Sequence, residues 1–145
     1  LVELDPELAA KARSGTLPGV EAVCGDASTT EAYRGAVPAD LVLVCGVFGN
    51  VSNDDIRGTV CALPTLCAAG ATVIWTRHRR PPDLTIDIRR WFAEAGFEEV
   101  GFVGSDEQLF GVGAHRLIDP PRAFVRDLRL FTFVGAEALA RAAAD

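Results

Sequence analysis

Apolar positions recur along this chain with two periods, two residues and about 3.6, and the period switches many times between the two ends. Leu1 to Glu3 predicts a strand stub. Pro6 to Arg13 predicts a helix. Proline in a first turn lacks a donor that the helix would leave unpaired anyway, Asp5 is placed to cap it, and Gly15 lies just past its end. Gly19 to Cys24 predicts a second strand, and Ser28 or Thr29 a short helix through Tyr33. Asp40 to Cys45 (DLVLVC) reads as a central parallel strand covered on both faces. A loop follows from Gly46 to Asn53. The next helix runs from Asp54 to Ala68, with Asn53 as its cap, Pro64 as an internal bend and Gly70 as its stop. Ala71 to Thr76 (ATVIWT) predicts a buried strand and His78 to Pro82 a basic turn. Leu84 to Ala95 places Ile88, Trp91, Phe92 and Ala95 at helical spacing and stops at Gly96. Phe97–Val103 and Leu109–Leu117 predict strands, and the short connector at Gly104 to Glu107 makes them an antiparallel pair.

Ile118-Asp119-Pro120-Pro121 breaks the alternation. The expected division is therefore residues 1–117 as an α/β unit and 118–145 as an appendix packing on the same domain. Within the appendix, Leu128 to Val134 predicts an edge strand and Ala136 to Ala144 a helix. Phe124, Leu128, Leu130, Phe131 and Phe133 suit it to cover a sheet edge or to form a homodimer surface. The element order gives a mostly parallel sheet with an antiparallel terminal hairpin.

Composition narrows the function classes. The 145 residues suit one domain, and 49% apolar content is ample for a core. A net charge of −6 disfavours nucleic acid as a partner, because phosphate binding needs clustered cations. The longest apolar run is far short of a membrane span, so no membrane partner is expected. Cys24 and Cys45 fall in strand-like runs, Cys61 and Cys67 in a helix-like one, and no CxxC occurs. They read as buried free thiols of a reducing, cytoplasmic protein, with no metal site.

Ligands of parallel sheets sit beyond the carboxyl ends of the strands. Glu3 there is suited to accept hydrogen bonds from two vicinal ribose hydroxyls, while Asp5 suits capping. Asp26 is suited to accept from an exocyclic amine of adenine, and the Ala27 N–H to donate to a ring nitrogen; a turn-forming Asp after Gly is the plainer account. Cys45 and Gly46 are expected to line the amino-acid end of a cofactor, with Phe48 covering its methyl carrier. No base stands beside Cys45 in sequence, so it is not read as a nucleophile. His78 is a weak candidate for a general base, and Arg77, Arg79 and Arg80 for binding an acidic substrate, against the blander account of a solvated turn. His115 reads as structural.

Taken together, VELDPELAAKAR (Val2–Arg13), VEAVCGDAS (Val20–Ser28), ADLVLVCGVFGNVS (Ala39–Ser52), GATVIWTRHRR (Gly70–Arg80), WFAEAGFEEVGFV (Trp91–Val103) and FGVGAHRL (Phe110–Leu117) resemble the class I S-adenosylmethionine-dependent methyltransferases. The resemblance covers residues 1–117. It implies a three-layer Rossmann-like sheet with the family's first strand central, its second and third strands on one side, and its fourth, fifth, seventh and sixth on the other. It implies S-adenosylmethionine as cofactor, Glu3 at the ribose, and Asp26 and Ala27 at the adenine. The family's first strand and glycine-rich loop would precede Leu1. The fold is therefore expected to be N-terminally incomplete, with a longer native chain, or less simply a partner chain, filling the slot. Cys45-Gly46-Val47-Phe48 replaces the Asn-Pro-Pro-Tyr-like segment of enzymes that methylate nucleic-acid bases, so a small-molecule acceptor is expected. Two rivals stand beside this expectation. One is a non-catalytic domain degenerate from a methyltransferase; the other is an NAD-dependent oxidoreductase, which shares the acid after the second strand.

Overall fold

The computed structural model describes residues 1–15, 18–104 and 109–134. Its elements are β1 (Val2–Glu3), α1 (Pro6–Ser14), β2 (Val23–Cys24), a 3-10 turn (Thr30–Tyr33), β3 (Ala39–Val44), α2 (Asn53–Ala62), a second 3-10 turn (Leu63–Thr65), β4 (Cys67–His78), α3 (Thr85–Glu94), β5 (Phe97–Val103) and β6 (Phe110–Leu117). The helix expected over Ala136 to Ala144 lies outside the described residues.

Among the described residues the strands form two sheets, divided between the strands that the resemblance sets on either side of its first strand. β1 and β2 make a parallel pair, and β3-β4-β6-β5 make a four-stranded sheet in that order. β3 runs parallel to β4, and β6 runs antiparallel to both β4 and β5. The terminal hairpin is therefore present, whereas β1 and β3 share no ladder among the described residues. Each has a strand partner on one side only among the described residues.

α2 and α3 cover one face of the four-stranded sheet. Side chains alternate along a strand, so Val73 and Trp75 of β4 and Val44 of β3 enter that core. Leu41 and Leu43 point the other way and are exposed, at 53% and 61%. The expectation that β3 is covered on both faces is corrected: among the described residues its second face carries no helix.

Several boundaries also differ. Ser52, not Asn53, caps α2, its Oγ accepting from the Asp55 N–H at 3.1 Å. α2 gives way to a 3-10 turn at Leu63, because Pro64 has no N–H for the α-helical ladder. β4 therefore starts at Cys67, and Gly70, at φ +74°, lies inside it rather than ending a helix. There the register with β3 jumps from Ala39–Cys67 to Leu41–Thr72. Among the thiols only Cys67 is buried; Cys24, Cys45 and Cys61 are exposed. Cys45 shares the open side of β3 with Leu41 and Leu43, which periodicity alone did not reveal.

Trp75 is the centre of the core. It stacks on Phe92 and on His115, each with ring centroids 6.2 Å away, and its Nε1 donates to His115 Nδ1 at 3.2 Å. It lies so close over β6 that a Cβ on Gly113 would stand 2.4 Å from the indole. His115 Nε2 faces Glu99 Oε2 at 3.7 Å, and Glu99 is held by a two-pronged pair with Arg89 at 2.6 and 2.9 Å.

Residues 118–134 form a strap alongside α2. At the carboxyl end of α2, Arg122 donates its N–H to Pro64 O (3.0 Å) and its Nη1 to Cys61 O (3.2 Å). At the amino end, the Thr132 N–H donates to Asp55 Oδ2 at 3.1 Å. Leu130 and Phe131 are buried in the main core. The expected edge strand at Leu128–Val134 does not form. Its residues make isolated antiparallel bridges, Thr29–Arg129 and Val51–Phe133, to loops on either side.

Two predictions follow from the core. Gly113→Ala should cost about 1–3 kcal/mol by overpacking against Trp75. Gly58→Ala, on the exposed side of α2 with open space at its Cβ, should be neutral or stabilise by up to about 1 kcal/mol. Urea unfolding of both variants checks the contrast, and equal costs would contradict this packing. The second concerns pH. Burial pushes the His115 imidazolium down to about 4, against the opposing pull of Glu99. An unfolded His titrates near about 6.5, so as pH falls the unfolded chain takes the proton first. Stability should be intact above that value and fall by about 3 kcal/mol on approaching pH 4. Unfolding curves across this window should show the loss in the wild type and a smaller one in His115→Gln.

Candidate functional site

The site begins with one backbone bond. Glu3 ends β1 opposite Cys24, and its carbonyl accepts from the Gly25 N–H at 3.0 Å. That bond sets Asp26 two residues beyond the end of the paired register. Of the Glu3 carboxylate, Oε1 accepts from the Asp5 N–H at 2.9 Å. Asp5 itself caps α1, accepting from the N–H groups of Glu7 (2.7 Å) and Leu8 (3.1 Å).

Asp26 opens a tight turn. Its Oδ1 accepts from the Ser28 N–H at 2.9 Å, and its carbonyl accepts from the Thr29 N–H at 3.2 Å. Hydrogen bonds from Ser28, and less strongly the Arg129 cation, hold its carboxyl below the usual range. The Ala27 carbonyl accepts from Tyr33 Oη at 2.7 Å, which ties the turn to the 3-10 turn behind it.

The second cluster is the loop leaving β3. Gly46, at φ +74°, adopts a conformation that a side chain would strain, and the space beside its Cα is open. Its N–H donates to Thr76 Oγ1 at 3.1 Å, and its carbonyl accepts from Asn50 Nδ2 at 2.8 Å. Arg77 Nη1 donates to the Phe48 carbonyl. Two side chains of β4 thus brace this loop. Cys45 stands exposed at its mouth.

Phe48 is corrected. It is fully buried against Trp75, with ring centroids 6.2 Å apart, and so belongs to the core and cannot cover a ligand. The arginine cluster is also divided. Arg77 is buried, with its Nε unpartnered, and Arg79 pairs with Asp83 at 3.0 Å. Asp83 in turn accepts from the Thr85 N–H and Oγ1 at 3.0 and 2.8 Å. Of the three arginines, Arg80 is exposed.

His78 lies at the end of β4 and not in a turn. Its ring rests on Gly49, where a Cβ would stand 3.3 Å from His78 Cδ2. Its Nδ1 is buried without a partner. Burial first, then the Arg77 and Arg80 cations, lowers its pKa, so the imidazole is neutral at pH 7. Among the described residues no three His, Cys, Asp or Glu side chains gather as a metal site requires.

Glu3, Asp26 and Ala27 therefore form one group at the exits of β1 and β2. Cys45, Gly46 and His78 form another at the exits of β3 and β4. The strap touches both: Arg129 and Leu130 bond Ser28, while the Val134 N–H donates to Asn50 O at 3.0 Å. Asn50 and Thr76 lie on strand exits where the sequence places the chemistry, whereas Ser28 and Arg129 were given no part in it. Arg129 lies about a hundred positions from its partner, with no local signal to join them.

No family model matches the chain, and no curated protein sequence does. Solved structures do. The N-methyltransferase NodS from Bradyrhizobium japonicum superposes over 81% of this chain, with a TM-score of 0.60 and 14% identity. A TehB-like SAM-dependent methyltransferase from Corynebacterium glutamicum superposes over 79%, with a TM-score of 0.61 and 18% identity. A possible exported protein from Bordetella parapertussis superposes over 83%, with a TM-score of 0.55 and 20% identity. The chain spans 72%, 65% and 52% of those three chains. At such identities the likeness shows the fold: an α/β architecture with a mixed parallel and antiparallel sheet and flanking helices, as in SAM-dependent methyltransferases.

Thr76→Val removes the acceptor of the Gly46 N–H at almost constant volume. It should cost about 1 kcal/mol of stability and accelerate hydrogen exchange at Gly46. Unchanged exchange there would show that β4 does not brace the loop.

Proposed function

We propose that this chain contributes the nucleoside-binding part of an S-adenosylmethionine-dependent methyltransferase acting on a small-molecule acceptor. The observation that carries the proposal is the pair of carboxylates, Glu3 and Asp26, at adjacent parallel strand exits whose register is held by the Gly25–Glu3 backbone bond. An adenosine offers donors at both places: a vicinal diol on the ribose and an exocyclic amine on the base. Glu3 Oε1 is engaged by the Asp5 N–H, and the Asp26 carboxylate by the Ser28 N–H at Oδ1 and by the Ser28 hydroxyl, and neither carboxylate has all of its lone pairs taken. The donor and acceptor chemistry therefore fits the cofactor.

Within this proposal Glu3 accepts from the ribose, Asp26 accepts from the adenine amine, and the Ala27 N–H donates to the ring. The bare Cα of Gly46 lets the rest of the cofactor approach the backbone, with Cys45 at the edge. When bound, S-adenosylmethionine supplies an electrophilic methyl group on a sulfonium, and catalysis is mainly placement of the acceptor's nucleophile in line with it. His78 is the candidate to take a proton where the nucleophile carries one, through Nε2, since its Nδ1 is buried. The slot between β1 and β3 is assigned to the strand and glycine-rich turn that the family carries there.

Calorimetric titration with S-adenosylhomocysteine tests the proposal, on the 145-residue chain and on the full product of its gene. Saturable binding is expected. Glu3→Gln and Asp26→Asn should each weaken it by about 10-fold or more, since each removes a charge-assisted acceptor. Preference for NADH, or an affinity indifferent to both substitutions, would overturn it.

A further inference from the structure

We infer that the strap is part of the nucleoside site, and that Arg129 is the positioning residue that keeps the Asp26–Ser28 turn in its ligand-accepting shape. The inference rests on the reading of Asp26 as the adenine acceptor. It adds a residue of the appendix to a site otherwise built from strand exits.

The geometry is specific. Arg129 Nη1 donates to Ser28 Oγ at 2.8 Å, and the same nitrogen stands 3.9 Å from Asp26 Oδ2. The first distance is a full hydrogen bond and the second is not. Arg129 thus holds the Ser28 hydroxyl beside the carboxylate without itself making a full hydrogen bond to Oδ2, while its charge favours the ionised carboxylate. In a chain of net charge −6, this places a cation where an acceptor must stay ionised.

The grip is anchored on both sides. Leu130, beside Arg129, donates its N–H to Ser28 O at 2.8 Å, and its own carbonyl accepts from Thr59 Oγ1 of α2 at 2.7 Å. One strap residue thereby bonds the turn after β2 and the helix that covers the four-stranded sheet. Thr30, fully buried, secures the other end of the turn. Its N–H donates to Leu128 O at 2.9 Å, its Oγ1 donates to Val125 O at 2.7 Å, and the Leu128 N–H donates to the same Oγ1 at 3.0 Å. Asp127, at φ +53°, turns the strap so that Leu128 and Arg129 meet the loop. Beyond that meeting the strap reaches the second cluster at Val51 and Asn50.

A purely structural role would need only the backbone bonds of Leu128 and Leu130. The Arg129 side chain is 59% exposed, so its pairings contribute little to global stability. Its distinctive contribution is to the shape and charge of the turn. Arg129→Ala should therefore leave the unfolding midpoint unchanged and act locally.

Two measurements decide the matter. Without ligand, hydrogen exchange at the Ser28 amide should quicken by about 10-fold in Arg129→Ala and return toward wild type in Arg129→Lys. With ligand, the ratio of affinities for S-adenosylhomocysteine and S-inosylhomocysteine, whose base lacks the exocyclic amine, should fall by about 3- to 10-fold in Arg129→Ala and recover in Arg129→Lys. Unchanged Ser28 exchange overturns the inference whatever the ligand does. An equal loss of affinity for both nucleosides also overturns it, by reducing Arg129 to a fastening, while leaving the cofactor assignment intact. If neither the wild-type chain nor the full gene product binds S-adenosylhomocysteine, the cofactor assignment fails first and the nucleoside role of Arg129 falls with it.

Discussion

Trp75 packed against the bare Cα of Gly113 is the contact on which the core of the sheet depends. The indole needs the missing Cβ of Gly113 to approach β6, and its N–H needs an acceptor once buried. His115 Nδ1, two residues along the same face of β6, is that acceptor. Phe92 of α3 then closes on His115 with ring centroids 4.3 Å apart. One side chain thereby joins the packed faces of β4 and β6 to the seat of α3. The ends of β4, where Thr76 and Arg77 brace the loop after β3, inherit their positions from it.

The second organising feature is the strap. The four-stranded sheet has its own core, whereas β1 and β2 are each two residues long and bury little. Hydrogen bonds from Val125 to Val134 reach the turn after β2, the side of α2, and the loop after β3 in succession. The appendix thus fills a place at which the expectations had only a sheet edge or a dimer surface. The residues proposed to meet the nucleoside and those proposed to meet the reacting end of the cofactor lie on segments that this strap connects.

The element types were largely legible in the sequence because their causes are local. Asp5 before Pro6 starts a helix, Gly96 ends one, and the apolar spacing of Ile88, Trp91 and Phe92 needs no distant partner to be read. β5 occupies its expected range, and its antiparallel pairing with β6 followed from a short connector. Misreadings arose where a local signal had two meanings. Gly70 reads as a helix stop and is a kink within β4. The apolar run of β3 reads as doubly covered and, among the described residues, is covered once. Phe48 reads as a ligand cover and is core, since an aromatic next to glycines looks the same in either place.

By itself, the sequence determined the alternation of strands and helices, the hairpin at β5 and β6, and the candidate acids Glu3 and Asp26, because periodicity, caps and turn residues act over a few positions. Only the tertiary structure decided that Arg77 turns inward to Phe48 and that Arg129 reaches Ser28. Those outcomes depend on contacts between residues far apart in the chain, and which distant surfaces meet is chosen by the packing of the whole core.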